Sequence, residues 1–185
     1  MISLSEILNE FVGKTLHIYD FDDTLVDTNT SVSVIDTKGN VKKLSSGEFA
    51  TYTLGPGERY DFTEFDKTIK HSKPIVNNIA QIRKSLSNPA IKTTILTARR
   101  VGYPIMKHLR DKYRLNTYVV AVNGANPELK ADWIEKQVKS GYKNIKFVDD
   151  SEKNLSAVAA RLRKYDINLQ LINALSGETV SERYL

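Results

Sequence analysis

Aspartates dominate one short stretch of the chain. Residues 15–28 read TLHIYDFDDTLVDT, an apolar run followed by Asp20, Asp22, Asp23 and Asp27. Carboxylates repel one another, and a buried one is unfavourable unless it is paired or bound to a metal. A second acidic pair, Asp149 and Asp150, closes another apolar run, IKFVDD. Side chains alternate along an extended segment, so Asp20 and Asp22 share one side where their strand ends. Two such pairs brought together form a hard-oxygen pocket suited to Mg²⁺. The candidate metal set is therefore Asp20, Asp22, Asp149 and Asp150. Thr97 leaves the run TTILT in a similar position, and Lys130, early in PELKADWIEK, can supply a positive charge.

The elements that must position these groups follow from hydrophobic patterning. Residues 15–19, 91–96, 117–122, 144–149 and 167–172 are apolar, β-rich runs that predict strands. Helical periodicity covers 74–86, 103–112, 127–139 and 152–164, two of these segments opening near a proline. Beyond residue 90 strands and helices alternate with short loops, the pattern of a parallel sheet with helices on both faces. This predicts an α/β fold whose central parallel sheet has about five strands. In such sheets ligands bind at the carboxyl ends of strands near a switch in strand order. Residues 25–73 interrupt the alternation: SVSVIDTKGNVKKL reads as a hairpin turning at TKGN, SSGEFATY as a short helix and FTEFDKTIKH as a helical turn. They are expected to form a small cap insertion within a single domain of residues 1–185.

Composition narrows the classes. At 185 residues the chain can bury a core, and no apolar run reaches bilayer-spanning length, so no membrane partner is expected. MISLSEILNEFVGK reads as an amphipathic helix with no cleavage pattern. The absence of cysteine excludes thiolate metal sites and disulfides and suits a cytoplasmic location. A net charge of +5 favours polyanionic partners, although RLRK (161–164) and LRDKYR (109–114) read first as solvated helix faces. VGKT (12–15) ends like a phosphate-binding loop, but Leu8 stands where the first glycine belongs, and the segment precedes the strand.

Taken together, these residues resemble the haloacid dehalogenase (HAD) superfamily. HIYDFDDTL is similar to its first motif, TILTAR to the second, Lys130 to the third-motif lysine, and KFVDDSEKN to the fourth-motif acidic pair. The resemblance implies a Rossmann-like core and an Mg²⁺-dependent phosphatase that works through an aspartyl-phosphate. Asp20 would be the nucleophile and Asp22 the acid and base. Mg²⁺ would sit on Asp20, the Asp22 backbone carbonyl and Asp149, with Asp150 acting through water. Thr97 would hydrogen-bond the phosphoryl group, and Lys130 would offset negative charge. The presence of Asp22 favours phosphoryl transfer over dehalogenation, because a halide leaving group needs no proton.

Other polar residues carry two readings. Arg99 and Arg100 can reach a substrate phosphate, or they can simply open a helix. Asn154 can position Asp150 or cap its helix, while Asp23 and Asp27 read as caps or solvated groups. His17 and His108 read as packing residues, and His71 has no assigned role. The interval 98–129 has room for only a helix and a strand, so the cleft is expected to be partly open. In the family that architecture serves large substrates, which with the basic charge points to polynucleotide ends or nucleotides. The competing reading is a catalytically idle domain that binds a phosphorylated or nucleic-acid partner. The tail SGETVSERYL is polar enough to be loosely ordered or to dock on a partner.

Overall fold

The computed structural model describes residues 13–28, 30–45, 48–49, 52–67 and 69–183. The helix expected over residues 1–14 lies almost wholly outside these, and so does half of the one expected at SSGEFATY. In chain order the strands are β1 (Lys14–Tyr19), β2 (Val26–Asp27), β3 (Val32–Ile35), β4 (Val41–Leu44), β5 (Arg59–Asp61), β6 (Lys73–Pro74), β7 (Ile91–Thr97), β8 (Tyr118–Ala121), β9 (Tyr142–Asp149), β10 (Asn168–Asn173) and β11 (Thr179–Arg183). The α-helices whose bounds lie among the described residues are α1 (Val76–Leu86), α2 (Tyr103–Tyr113), α3 (Pro127–Lys139) and α4 (Glu152–Leu162). A 3₁₀ turn spans Thr63–Asp66.

The central sheet has six strands in the order β11-β10-β9-β1-β7-β8. Five run parallel, and β11 is antiparallel to β10. The interior strands are apolar at consecutive positions because both faces are covered. Ile18, Leu96, Phe147 and Leu171 face one layer, where they pack with Ile134 of α3 and Leu155 and Val158 of α4. Their neighbours Tyr19, Ile95, Val148 and Ile172 join Ile79 and Ile82 of α1 and Ile105 and Leu109 of α2 on the other. A period of two with both faces dry gives the unbroken apolar runs. Burying these side chains is the main favourable term, about 1.5–3 kcal/mol for each large one.

From β1 the chain moves outward through β7 and β8, then returns to the far side of β1 for β9 and β10. Strand order therefore reverses beside β1, which runs into Asp20, and β9, which ends at Asp149. Ile18 pairs with Phe147 and Tyr19 with Val148, so the residues that follow, Asp20 and Asp149, emerge side by side.

The insertion is stapled at its stem, where Val26 pairs with Pro74 and Asp27 with Lys73. Its body is a three-stranded antiparallel sheet, β4-β3-β5, one strand more than the expected hairpin. The β3–β4 turn forms because the Asp36 carboxylate accepts from the Lys38 and Asn40 amides, at 2.8 and 2.9 Å, and Gly39 takes φ +85°. The tail differs from expectation: Thr179–Arg183 form the edge strand β11, since Thr and Val favour extended backbone and polar side chains suit an edge. Among the described residues no helix is long and apolar enough to cross a membrane.

Candidate functional site

Asp20 and Asp149 leave adjacent strands in register, and the Asp20 amide donates to the Val148 carbonyl at 2.9 Å. Lys130 enters from the first turns of α3. That helix is started by Asn126, whose side chain accepts from the Glu128 amide, with Pro127 at its first position. The Lys130 ammonium donates to Asp20 Oδ1 and Asp149 Oδ2, both at 2.7 Å. All three side chains are buried. Lys136 and Lys139 of the same helix are exposed, so the packing of α3 singles out one lysine.

Asp149 is held further by the Ser151 amide at 2.9 Å and by Asn154 Nδ2 at 2.9 and 3.1 Å. Ser151 also caps α4 through the Asn154 amide. Asn154 thus serves the site by binding Asp149, whereas the sequence points to Asp150, nearby backbone or a cap. Asp150 accepts from Thr24 Oγ1 at 3.1 Å, and its amide donates back to that hydroxyl at 3.0 Å. Thr24 is anchored in turn by buried Asn78, which donates to the carbonyls of Thr24 and Ala174 at 2.8 and 3.1 Å. Asp23 takes φ +54° in the turn between these groups, a conformation that aspartate tolerates better than most residues.

Asp22 lies apart from this cluster. Arg99 grips its carboxylate with both arms, Nη2 to Oδ1 at 2.6 Å and Nε to Oδ2 at 2.8 Å. Thr28 donates to the same Oδ1 at 2.9 Å. The third arm, Arg99 Nη1, donates to the Phe65 carbonyl in the insertion at 2.8 Å. Arg99 is only 4% exposed, so here it serves partners inside the protein; its neighbour Arg100 is exposed. Thr97 is buried at the end of β7, and its hydroxyl accepts from the Arg99 amide at 3.2 Å. His17 bonds Ser85 and His108 bonds Ser72, both at 2.8 Å and both away from the cluster.

Burial pushes the Asp20 carboxyl well above its ordinary range, against the pull of Lys130 and with a push from Asp149. Burial also raises Asp150 to about 6, reinforced by Asp149 and Asp23. Burial works against the charge of Lys130, but Asp149 and Asp20 outweigh it and hold the ammonium protonated beyond the usual lysine range. Carboxylate oxygens of Asp20, Asp149 and Asp150 lie within 4.8 Å of one another. If all three carboxylates were ionised, one ammonium would leave two negative charges uncompensated, and this repulsion adds to burial in raising Asp20 and Asp150. An all-oxygen donor set crowded in this way can hold a metal ion and fits a hard divalent cation. The Asp22 carboxylate is not part of this set.

No family model, curated protein or solved structure matches the chain.

The structure thus brings Asp20, Lys130, Asp149 and Asp150 together, and it places Asp22 and Arg99 in an adjoining ion pair. Thr24, Thr28 and Asn78 support both groups, and sequence reasoning gave none of them a role. The one available signal was Thr24, which closes the run Asp-x-Asp-x-Thr.

Proposed function

We propose that the chain is a Mg²⁺-dependent phosphoric monoester hydrolase of the HAD type. The observation that carries this reading is the Asp20–Lys130–Asp149 arrangement at the ends of two adjacent strands where strand order reverses. A buried carboxylate beside a fixed ammonium is a nucleophile whose charge is compensated before substrate arrives.

In this reading Asp20 attacks phosphorus and the bond to the leaving oxygen breaks. Asp22, which in the structure accepts from Arg99 and Thr28, must take up a proton with the substrate in order to pass it to that oxygen. Water then attacks the aspartyl-phosphate, Asp22 takes back the proton, and inorganic phosphate leaves with Asp20 restored. Asp20, Asp149 and Asp150 would hold Mg²⁺, which would supply positive charge to screen the nucleophile from the phosphate. The Thr97 hydroxyl donates to a phosphoryl oxygen, and Lys130 stabilises the charged form of Asp20 against the effect of burial. The net charge of +5 and the small insertion favour polynucleotide ends or nucleotides as substrates. The cations of 161–164 contribute less to that than their number suggests, since Arg161 pairs with Glu128 and Asp132 and Lys164 with Glu135.

The test is phosphate release from p-nitrophenyl phosphate and from phosphorylated oligonucleotides and nucleotides. Wild type and Asp20→Asn are compared with Mg²⁺ and with EDTA. Turnover is expected only with Mg²⁺ and an intact Asp20. Folded wild type that releases phosphate from none of them would overturn the hydrolase reading in favour of a binding domain.

A further inference from the structure

Asp22 and Phe65 belong to different parts of the chain, and Arg99 grips both. Its Nε and Nη2 hold the Asp22 carboxylate at 2.8 and 2.6 Å, and its Nη1 holds the Phe65 carbonyl at 2.8 Å. The guanidinium also lies over two rings, 5.5 Å from the centre of Phe21 and 4.9 Å from that of Phe65. A guanidinium is a rigid planar fork, so fixing one edge orients the other. Phe65 sits in the Thr63–Asp66 turn, near the point where the insertion returns to the core. Arg99 therefore links the seat of that turn to the Asp22 carboxylate, which Thr28 also holds, while Ser31 and Lys43 hold Glu64 of the turn.

We infer that Arg99 is a positioning residue that couples the insertion to Asp22. The inference rests on the reading of Asp22 as the acid and base of a phosphatase. A carboxylate held on both oxygens has one orientation, and proton transfer to a leaving oxygen depends on that orientation. A displacement of the Phe65 turn by a bound substrate turns the fork and redirects Asp22. The insertion thereby reports its occupancy to the group that protonates the leaving oxygen. Lysine cannot replace arginine here, because a point charge lacks the fork.

Two measurements test this. In the first, backbone amide resonances of residues 62–67 are compared by NMR in wild type, Asp22→Ala, Arg99→Lys and the double variant. Asp22→Ala is expected to shift the Phe65 and Lys67 signals, and in the Arg99→Lys background the same change is expected to leave them in place. Phe65 and Lys67 signals unmoved by Asp22→Ala would overturn the coupling. In the second, kcat/KM is measured for an alkyl phosphate, whose leaving oxygen needs a proton, and for p-nitrophenyl phosphate, whose leaving group needs none. Arg99→Lys is expected to lower the alkyl-to-aryl ratio at least tenfold. Equal losses on both substrates would show direct phosphate binding or a general structural role, and would overturn the positioning assignment. A wild type that hydrolyses neither substrate overturns the hydrolase reading and the acid–base half of the inference, while the resonances decide the coupling on their own.

Discussion

Lys130 and Asp20, 110 residues apart in the chain, form a buried ion pair with a 2.7 Å contact between Nζ and Oδ1. The same ammonium is 2.7 Å from Asp149, so its removal strands two carboxylates in a nearly dry site. Breaking a buried pair from one side destabilises by about 3–5 kcal/mol, because the remaining charge is left uncompensated. Lys130→Met keeps the volume and removes the charge. It is expected to lower stability by that amount in urea titrations and to abolish phosphate release. A loss below about 1 kcal/mol, the range of exposed pairs, would mean that water reaches the site.

The crowding of the Asp20, Asp149 and Asp150 carboxylates predicts that a divalent cation stabilises the fold. At a concentration 100 times its dissociation constant, a ligand that binds only the native state adds about 2.7 kcal/mol. For a chain of this size that corresponds to a melting temperature higher by about 5–10 °C. Mg²⁺ is expected to raise the wild-type melting temperature relative to EDTA. Asp149→Asn and Asp150→Asn are expected to remove most of the increment. An increment retained in both variants would place the cation elsewhere.

How far the site could be read from the chain depends on where each residue's partners lie. Asp20 and Asp149 were legible because each ends a strand buried on both faces, which leaves an uninterrupted apolar run before the acid. Lys130 was harder, since Lys136 and Lys139 share its helix. Only the packing of α3 against the sheet shows which lysine turns inward. Arg99 and Arg100 are adjacent and chemically equal, and no spacing separates the buried one from the exposed one. The hairpin at Asp36–Asn40 was legible from local turn chemistry. Strand β11 was not, because an edge strand of polar residues looks like a solvated tail until its partner β10 is in place. Asn78 was out of reach altogether: its partners lie 54 and 96 residues away, and an asparagine within a helical pattern carries no mark of burial.

Asn78 yields a prediction of its own. Its amide satisfies the carbonyls of Thr24, which holds Asp150, and of Ala174, whose amide donates to the Asp149 carbonyl. A buried acceptor left without its donor is unfavourable by about 1–3 kcal/mol. Asn78→Ala is expected to lower stability within that range. It is also expected to weaken Mg²⁺ binding in calorimetry, because Thr24 then holds Asp150 less firmly. A stability loss with unchanged cation affinity would confine Asn78 to the scaffold.

His17 gives the pH dependence of the fold. Its ring is half-buried on β1, with Nδ1 2.8 Å from the Ser85 hydroxyl of α1 and with Lys146 of β9 nearby. Burial, aided by the charge of Lys146, lowers its pKa from 6.5 to about 4. The unfolded chain therefore takes up the proton first as pH falls. The contribution of the neutral ring is fully present above pH 6.5 and is lost progressively as pH drops towards 4. The raised carboxyls of Asp20 and Asp150 act in the opposite sense, so the wild-type curve alone mixes these effects. The difference between wild type and His17→Asn isolates the ring, since both proteins share the acidic cluster. Unfolding free energies measured in urea from pH 7.5 to 4.5 are expected to show wild type losing stability relative to His17→Asn below pH 6.5. Parallel curves would mean that the ring is protonated as readily in the folded protein as in the unfolded chain.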